Sequence, residues 1–309
     1  MAGELGQWLE SQGEARELAK AKSSSRRWTA AIVLVPLLVF VAIAFQWDFQ
    51  AIIWVAVFLG GAAWLWSEWP KTKAKKVVKV GINEGIAGAL GLSYSHEAEA
   101  DRAFALAKAC RLVPRHDKAS FEDRWTGAFG EIPFTLYEAH LEERRGSGKN
   151  RRWVTVFRGI VMSVGYRERF HGTTLLVRDN AFRKFWGGKK DCIEVDGMQL
   201  DYAAMSHPEF EDVFDIYTSD QVEARTLIDP LYVERLIALE RSYRGEDVGT
   251  IFNEGQLVVA LKTGNMFESG HIEASEDRRM VERTVDQFAR LADLARTLNE
   301  REPLTGRRG

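Results

Sequence analysis

Two long apolar runs stand back to back near the start of the chain, Trp28–Trp47 and Phe49–Trp66, with only Asp48 between them and no charge inside either. At a rise of about 1.5 Å per residue, each run makes a helix of roughly 27–30 Å, which matches the hydrocarbon core of a bilayer. The pattern predicts a transmembrane helical hairpin over residues 28–69. Lys20, Lys22, Arg26 and Arg27 precede it, and Lys71, Lys73, Lys75, Lys76 and Lys79 follow it, while the turn carries no Lys or Arg. By the positive-inside rule this predicts a multi-pass membrane protein with both termini cytoplasmic. Trp28, Trp47, Trp66 and Trp69 fall where indole rings favour the headgroup level, and a bilayer helix tolerates Pro36. The same residues admit two other readings. Ser25-Arg26-Arg27 before an apolar stretch resembles a cleaved export signal, and paired apolar helices also suit a buried hairpin. The length of the first run and the immediate second one favour the spans.

Beyond the runs the periodicity changes twice. Residues 71–90 continue as a helical pattern, with Val77, Val78, Ile82, Ile86 and Leu90 apolar. Gly81, Gly85 and Gly88 are spaced for close helix packing; the segment lacks the GxG turn and Lys-Ser/Thr of a phosphate loop. Glu97–Leu112 is Ala-rich, acidic at its start and basic at its end, and Pro114 stops it. From Ile132 the period becomes two. Strands are predicted over 133–143, 151–166, 173–178, 192–195 and 214–218, the first two joined by a Gly-rich turn.

Helix caps mark the last third. Asp220 with Glu223 forms a capping-box pattern, and Asp229 precedes Pro230 at a first helical position. A hairpin over 250–262 turns at Glu254-Gly255, and Ser275 caps a long closing helix. The fold class expected is a membrane-anchored α+β protein: an N-terminal two-helix transmembrane hairpin, then a domain with a meandering antiparallel sheet, flanking helices and a long C-terminal helix. Its expected divisions are a polar segment 1–27, the hairpin 28–69, a helical connector 70–118, a cytoplasmic domain 119–300 and a disordered tail 301–309.

Charge narrows the partners. Residues 1–76 hold 9 Lys and Arg against 6 Asp and Glu, whereas residues 77–309 hold 33 against 38. A mildly acidic main domain argues against nucleic acid, since phosphate binding needs a net basic face. Cys110 and Cys192 are the only cysteines and form no CxxC, which points to neither a disulfide framework nor a zinc site. His96, His116, His140, His171, His207 and His271 show no HxxxH, HExxH or HxH spacing, so no metal or cofactor is expected.

Acid–base chemistry has only diffuse candidates. Glu122, Asp123, Glu142, Glu143, Glu209, Glu211 and Asp212 are clustered carboxylates, and a hydrolase would need two to converge, Asp123 with Asp220 being the most plausible pair. Neither Ser163 nor Ser269 sits in a GxSxG elbow. Basic–aromatic clusters suggest binding instead. Arg144, Arg145, Lys149, Arg151 and Arg152 gather at one hairpin tip, and Phe182, Arg183, Lys184, Phe185, Trp186, Lys189 and Lys190 interleave rings with cations. On a tethered domain the second cluster is expected to contact lipid headgroups or a partner.

Glu122-Asp123-Arg124 with Gly127, the strand around Glu138, Phe157-Arg158-Gly159, Phe170 to Gly172, the run FEDVFDIYTSDQVEAR over 210–225 and Leu227 to Leu239 together resemble the domain-of-unknown-function family 3137. The resemblance covers roughly residues 30–265. It implies a protein of the bacterial inner (plasma) membrane with a two-span hairpin followed by a cytoplasmic α+β domain, and Asp123, Arg124, Gly127, Arg158, Gly159, Asp220 and Arg225 as its motif residues. It implies no established activity, catalytic residue or cofactor; among partners it suggests the lipid bilayer and a LemA-type protein. The reading these observations favour is a membrane-tethered binding or scaffold module recognising a protein partner or lipid headgroups, with a membrane-surface, carboxylate-based hydrolase as the alternative.

Overall fold

The structure, a computed structural model, describes residues 2–44, 49–166, 171–178, 181–182, 189–204, 213–243, 245–264 and 277–299. Two units divide the chain: Met1–Gly85 with Glu268–Val281, and Ile86–Phe267 with Glu282–Gly309.

The first unit is built on two long helices, α1 (Ala2–Ala44) and α2 (Phe49–Leu90), the latter running on into the second unit. Arg26 donates to the Trp66 carbonyl at 3.1 Å, and Arg27 pairs with Glu68. Charged groups therefore lie at the helix–helix contact, beside the apolar runs. Among the described residues no helix is long and apolar enough to cross a membrane. The transmembrane hairpin expected over 28–69 is corrected accordingly, and with it the two-span topology, the inner-membrane placement and the membrane-anchored part of the fold class.

Among the described residues, the second unit is an α+β fold on one ten-stranded sheet. Its strands are β1 (Ser93–Glu97), β2 (Lys118–Phe129), β3 (Ile132–Arg145), β4 (Arg152–Gly165), β5 (Thr174–Arg178), β6 (Cys192–Val195), β7 (Met198–Tyr202), β8 (Phe214–Thr218), β9 (Asp247–Asn253) and β10 (Gln256–Lys262). They lie in the order β1-β2-β3-β4-β10-β9-β5-β8-β7-β6, each antiparallel to its neighbours. The helices are α3 (Arg102–Ala109), α4 (Gln221–Leu227), α5 (Pro230–Ser242) and α6 (Asp277–Asn299).

Period-two patterning explains how the layers meet. Tyr137, Ala139 and Leu141 of β3, Val161 of β4 and Val258 and Ala260 of β10 point to one face, where they form a core with Ala103, Phe104 and Ala107 of α3. The alternate residues Leu136, Ile160, Met162, Leu257 and Val259 are also fully buried. On that second face Phe288 of α6 lies 4.7 Å from the Trp125 ring, and the Tyr232 hydroxyl of α5 bonds Thr250 at 3.0 Å. A sheet covered on both faces explains why β10 reads as an unbroken apolar run.

Local chemistry sets the boundaries. Asp101 caps α3 by accepting from the Phe104 amide, so Glu97, expected inside that helix, is free to end β1. Asp220 accepts from the Val222 and Glu223 amides, and Asp229 from that of Tyr232. Gly159 sits where β4 crosses close to β10; a Cβ there would lie 2.1 Å from the Leu261 carbonyl oxygen. Ser275 and the tail from Glu302 fall outside the described residues.

Candidate functional site

The antiparallel pairing of β1 with β2 brings together residues that are far apart in sequence. Tyr94 faces Trp125, Ser95 faces Arg124 and Glu97 faces Glu122. Between Glu122 and Trp125 the register of β2 against β3 shifts: Glu122 pairs with Glu138 and Trp125 with Leu136, so two residues stand opposite Tyr137 alone. This is a β-bulge, and Asp123 takes the left-handed conformation (φ 56°) that Asp adopts more readily than most residues. Asp123 is fully buried. A carboxylate there needs hydrogen bonds to offset its lost hydration. The Tyr94 hydroxyl donates to its Oδ1 at 2.6 Å, and His96 Nδ1 lies 3.1 Å from the same oxygen.

The neighbouring groups complete a polar cluster. Glu122 lies 3.8 Å from the Arg158 guanidinium, across β3. Arg124 reaches Asp101, the α3 cap, at 3.8 Å, and Asp101 also accepts from the Tyr137 hydroxyl at 2.6 Å. Burial first, then that hydrogen bond, pushes the Tyr137 hydroxyl well above the ordinary tyrosine range. One ligand atom from each of His96, Glu122 and Asp123 lies within 4.8 Å of the others. An imidazole nitrogen and two carboxylates are the donor types of a divalent metal site. Two of the motif residues expected from the sequence, Asp123 and Arg158, meet around Glu122, whereas Arg124 pairs with Asp101 beside α3. Tyr94, His96 and Asp101 were not foreseen. Only the cross-strand register joins His96 to Asp123, so a search for His–His spacings passes over it.

A second feature is a groove of about 430 Å³ at the ends of β4, β10, β9 and β5. Leu112, Pro114, Val156, Phe157, Val177 and Ala181 give it an apolar lining, and Arg111, Arg178, Lys262 and Asp247 edge it. Arg178 pairs with Glu240, and Lys262 lies 3.0 Å from Glu246. Burial pushes the Asp247 carboxyl up from its ordinary value, against the opposing pull of Arg178. Beside it a cleft of about 440 Å³ shares Arg111 and includes Phe182, Lys190 and Cys192.

The expected contact loop is placed only in part. Phe182 is buried in the core, edge-on to Tyr217 with ring centroids 5.5 Å apart. Lys189 bonds the buried Asp215 at 2.8 Å and lies over the Tyr202 ring. Burial pulls the Lys189 ammonium down, but the hydrogen bond and charge of Asp215 outweigh it and hold the group above the ordinary lysine range. Lys190 is half-buried, its amide bonded to the Phe182 carbonyl. Arg183, Lys184, Phe185 and Trp186 lie outside the described residues. At the other basic cluster Arg145 pairs with Glu143 at 2.7 Å, and the Arg144 amide bonds Asp117.

Asp123 and Asp220 do not converge. They sit on β2 and just after β8, six strand steps apart, or roughly 29 Å along the sheet at about 4.8 Å per step. Asp220 is engaged as a helix cap, and Arg225 is exposed on α4. Glu223 accepts from the His171 and Gly172 amides at 2.8 Å each, which ties that loop to α4. At Gly127 a Cβ would meet the Leu92 side chain at 2.4 Å.

Comparison with known proteins adds a family and one distant likeness. No curated protein matches the chain. The crystal structure of the mycobacterial trehalose monomycolate transport factor A, TtfA, aligns with 10% identity over 72% of this chain and 96% of that one, at a TM-score of 0.35. A likeness that weak carries no argument about fold or function. The family model described as "Protein of unknown function (DUF3137)" matches residues 155–300. This segment, just under half of the chain, runs from within β4 to the end of α6 and is similar to that family.

Proposed function

We propose that the sheet domain is a binding module for a protein partner, and that the partner docks in the groove at the ends of β4, β10, β9 and β5. The observation that carries this reading is the pairing of an apolar lining with a charged edge that includes Arg111, Arg178 and Lys262. Such a surface suits a short partner segment that offers an apolar side chain beside an acidic group. Arg111 stacks over the Phe182 ring at 5.9 Å, which links the groove to the start of the basic–aromatic run. The run from Arg183 to Trp186 is proposed to add to the same contact. A LemA-type protein, suggested by the family resemblance, is the first partner to test.

Charge reversal provides the test. Arg111→Glu and Lys262→Glu should each abolish co-purification of a tagged LemA-type partner with the full chain, while thermal unfolding stays within a few degrees of the unchanged protein. Retention of the partner by both folded variants would reject the groove. The competing hydrolase reading loses its two-carboxylate pocket, because Asp123 and Asp220 lie six strands apart.

A further inference from the structure

We propose that His96, Glu122 and Asp123 bind a divalent transition-metal ion at the β1–β2 bulge. The geometry of the two inner donors suits a shared ion. Ligand bonds of about 2.1 Å, typical of imidazole and carboxylate donors, place two ligands of one ion about 3.1 Å apart when they subtend roughly 95°. His96 Nδ1 and Asp123 Oδ1 are 3.1 Å apart. In the metal-free chain a proton joins them, because a carboxylate oxygen only accepts and the imidazole N–H must donate. An entering cation displaces that proton and sits about 2.1 Å from each atom, off the line between them.

The third donor is the adaptable one. Glu122 stands within 4.8 Å of both partners and its side chain is 37% exposed, so rotation of that side chain closes the site. Arg158 lies 3.8 Å from one Glu122 oxygen. Asp123 is the fixed point: it is buried on a bulge, and the Tyr94 hydroxyl orients it while the Tyr94 ring lies 4.9 Å from that of Trp125. Such orientation of a ligand by an outer group is what metal sites depend on. One imidazole and two carboxylates suit zinc, manganese, iron(II) or cobalt(II), and exclude a preference for copper(I), which needs sulfur. Three protein donors leave at least one position open, and His96, 20% exposed, opens the site towards solvent. The further ligand is therefore water or a small oxygen-donor molecule.

The test uses the full chain without a histidine tag, stripped with chelator. Cobalt(II) is titrated and followed by its visible absorption, and zinc(II) by calorimetry. One ion per chain is expected, with binding weakened at least about tenfold in His96→Gln and in Glu122→Gln. Glu194→Gln, on β6 at the far edge of the sheet, should bind as the unchanged chain does. Circular dichroism of Glu122→Gln, whose side chain is not buried, separates loss of the site from loss of the fold. Clearly substoichiometric binding, or undiminished binding in the two folded cluster variants, would overturn the proposal and leave Asp123 as a hydrogen-bonded bulge carboxylate only.

Discussion

Single residues in this chain divide between those whose role follows from their type and those defined only by what folds against them. Asp220 and Asp229 are legible at once, because a short carboxylate before a helix has one common use, capping the free amides. Asp220→Ala should cost about 1 kcal/mol in urea unfolding. Gly159 is the opposite case: nothing in the sequence announces that the Leu261 carbonyl lies where its Cβ would be. Gly159→Ala should destabilise by about 2–4 kcal/mol, since backbone rather than a movable side chain must yield; a loss within 0.5 kcal/mol, the range of ordinary surface changes, would refute that close approach. Lys189 was read from the sequence as a surface cation, yet it neutralises the buried Asp215. Replacing it with Met should cost about 3 kcal/mol or more by stranding that carboxylate. Because the folded protein holds the Lys189 pKa above its unfolded value, the pair's contribution is complete below the ordinary lysine pKa of about 10.4 and fades only as pH rises through the folded value. The stability gap between Lys189→Met and the unchanged chain should stay constant from about pH 7 to about pH 9. A gap that closes within that window would contradict the sign.

At the scale of elements, legibility tracks how well the hydrophobic period survives. β6 and β8 keep theirs, β10 is an unbroken apolar run, and all three are plain in the sequence. β2 loses its period because the bulge inserts a residue: Phe121 and Trp125, four apart, face opposite sides of the sheet, and Glu122, Asp123 and Arg124 between them are polar. β1, Ser93–Glu97, has too few apolar side chains to show any alternation. The cluster of His96 with Glu122 and Asp123 was hidden for the same reason, since it exists only once these two unrecognised strands pair. α6 shows how far an element depends on one contact. Phe288 packs against both Trp125 and Phe134, with centroids 4.7 and 6.3 Å away. Phe288→Ala should cost about 3–5 kcal/mol. A much smaller loss would mean that α6 does not anchor that face of the sheet.

For the whole molecule the lesson concerns what an apolar run can establish. Trp28–Trp47 and Phe49–Trp66 have the composition of spans, yet residues 28–44 and 49–66 are parts of helices 43 and 42 residues long whose charged stretches meet at Arg26, Arg27 and Glu68. Length of run alone did not identify the role of the helices, whereas the antiparallel sheet followed from strand patterning spread over many short segments. The binding surface had a partial signal in the cations and rings near Phe182. Its groove did not, because Arg111, Val177 and Lys262 meet only when β5, β9 and β10 are laid side by side.

The central claim, a protein partner seated in that groove, is tested most directly by photo-crosslinking in living cells. A photoreactive residue at Ala181, on the groove wall, is compared with one at Val222, which is 75% exposed on α4. The account predicts a discrete crosslinked protein from position 181, little from position 222, and loss of the product when Arg111→Glu and Lys262→Glu are added. Equal yields from the two positions, or a product that survives both charge reversals, would contradict it.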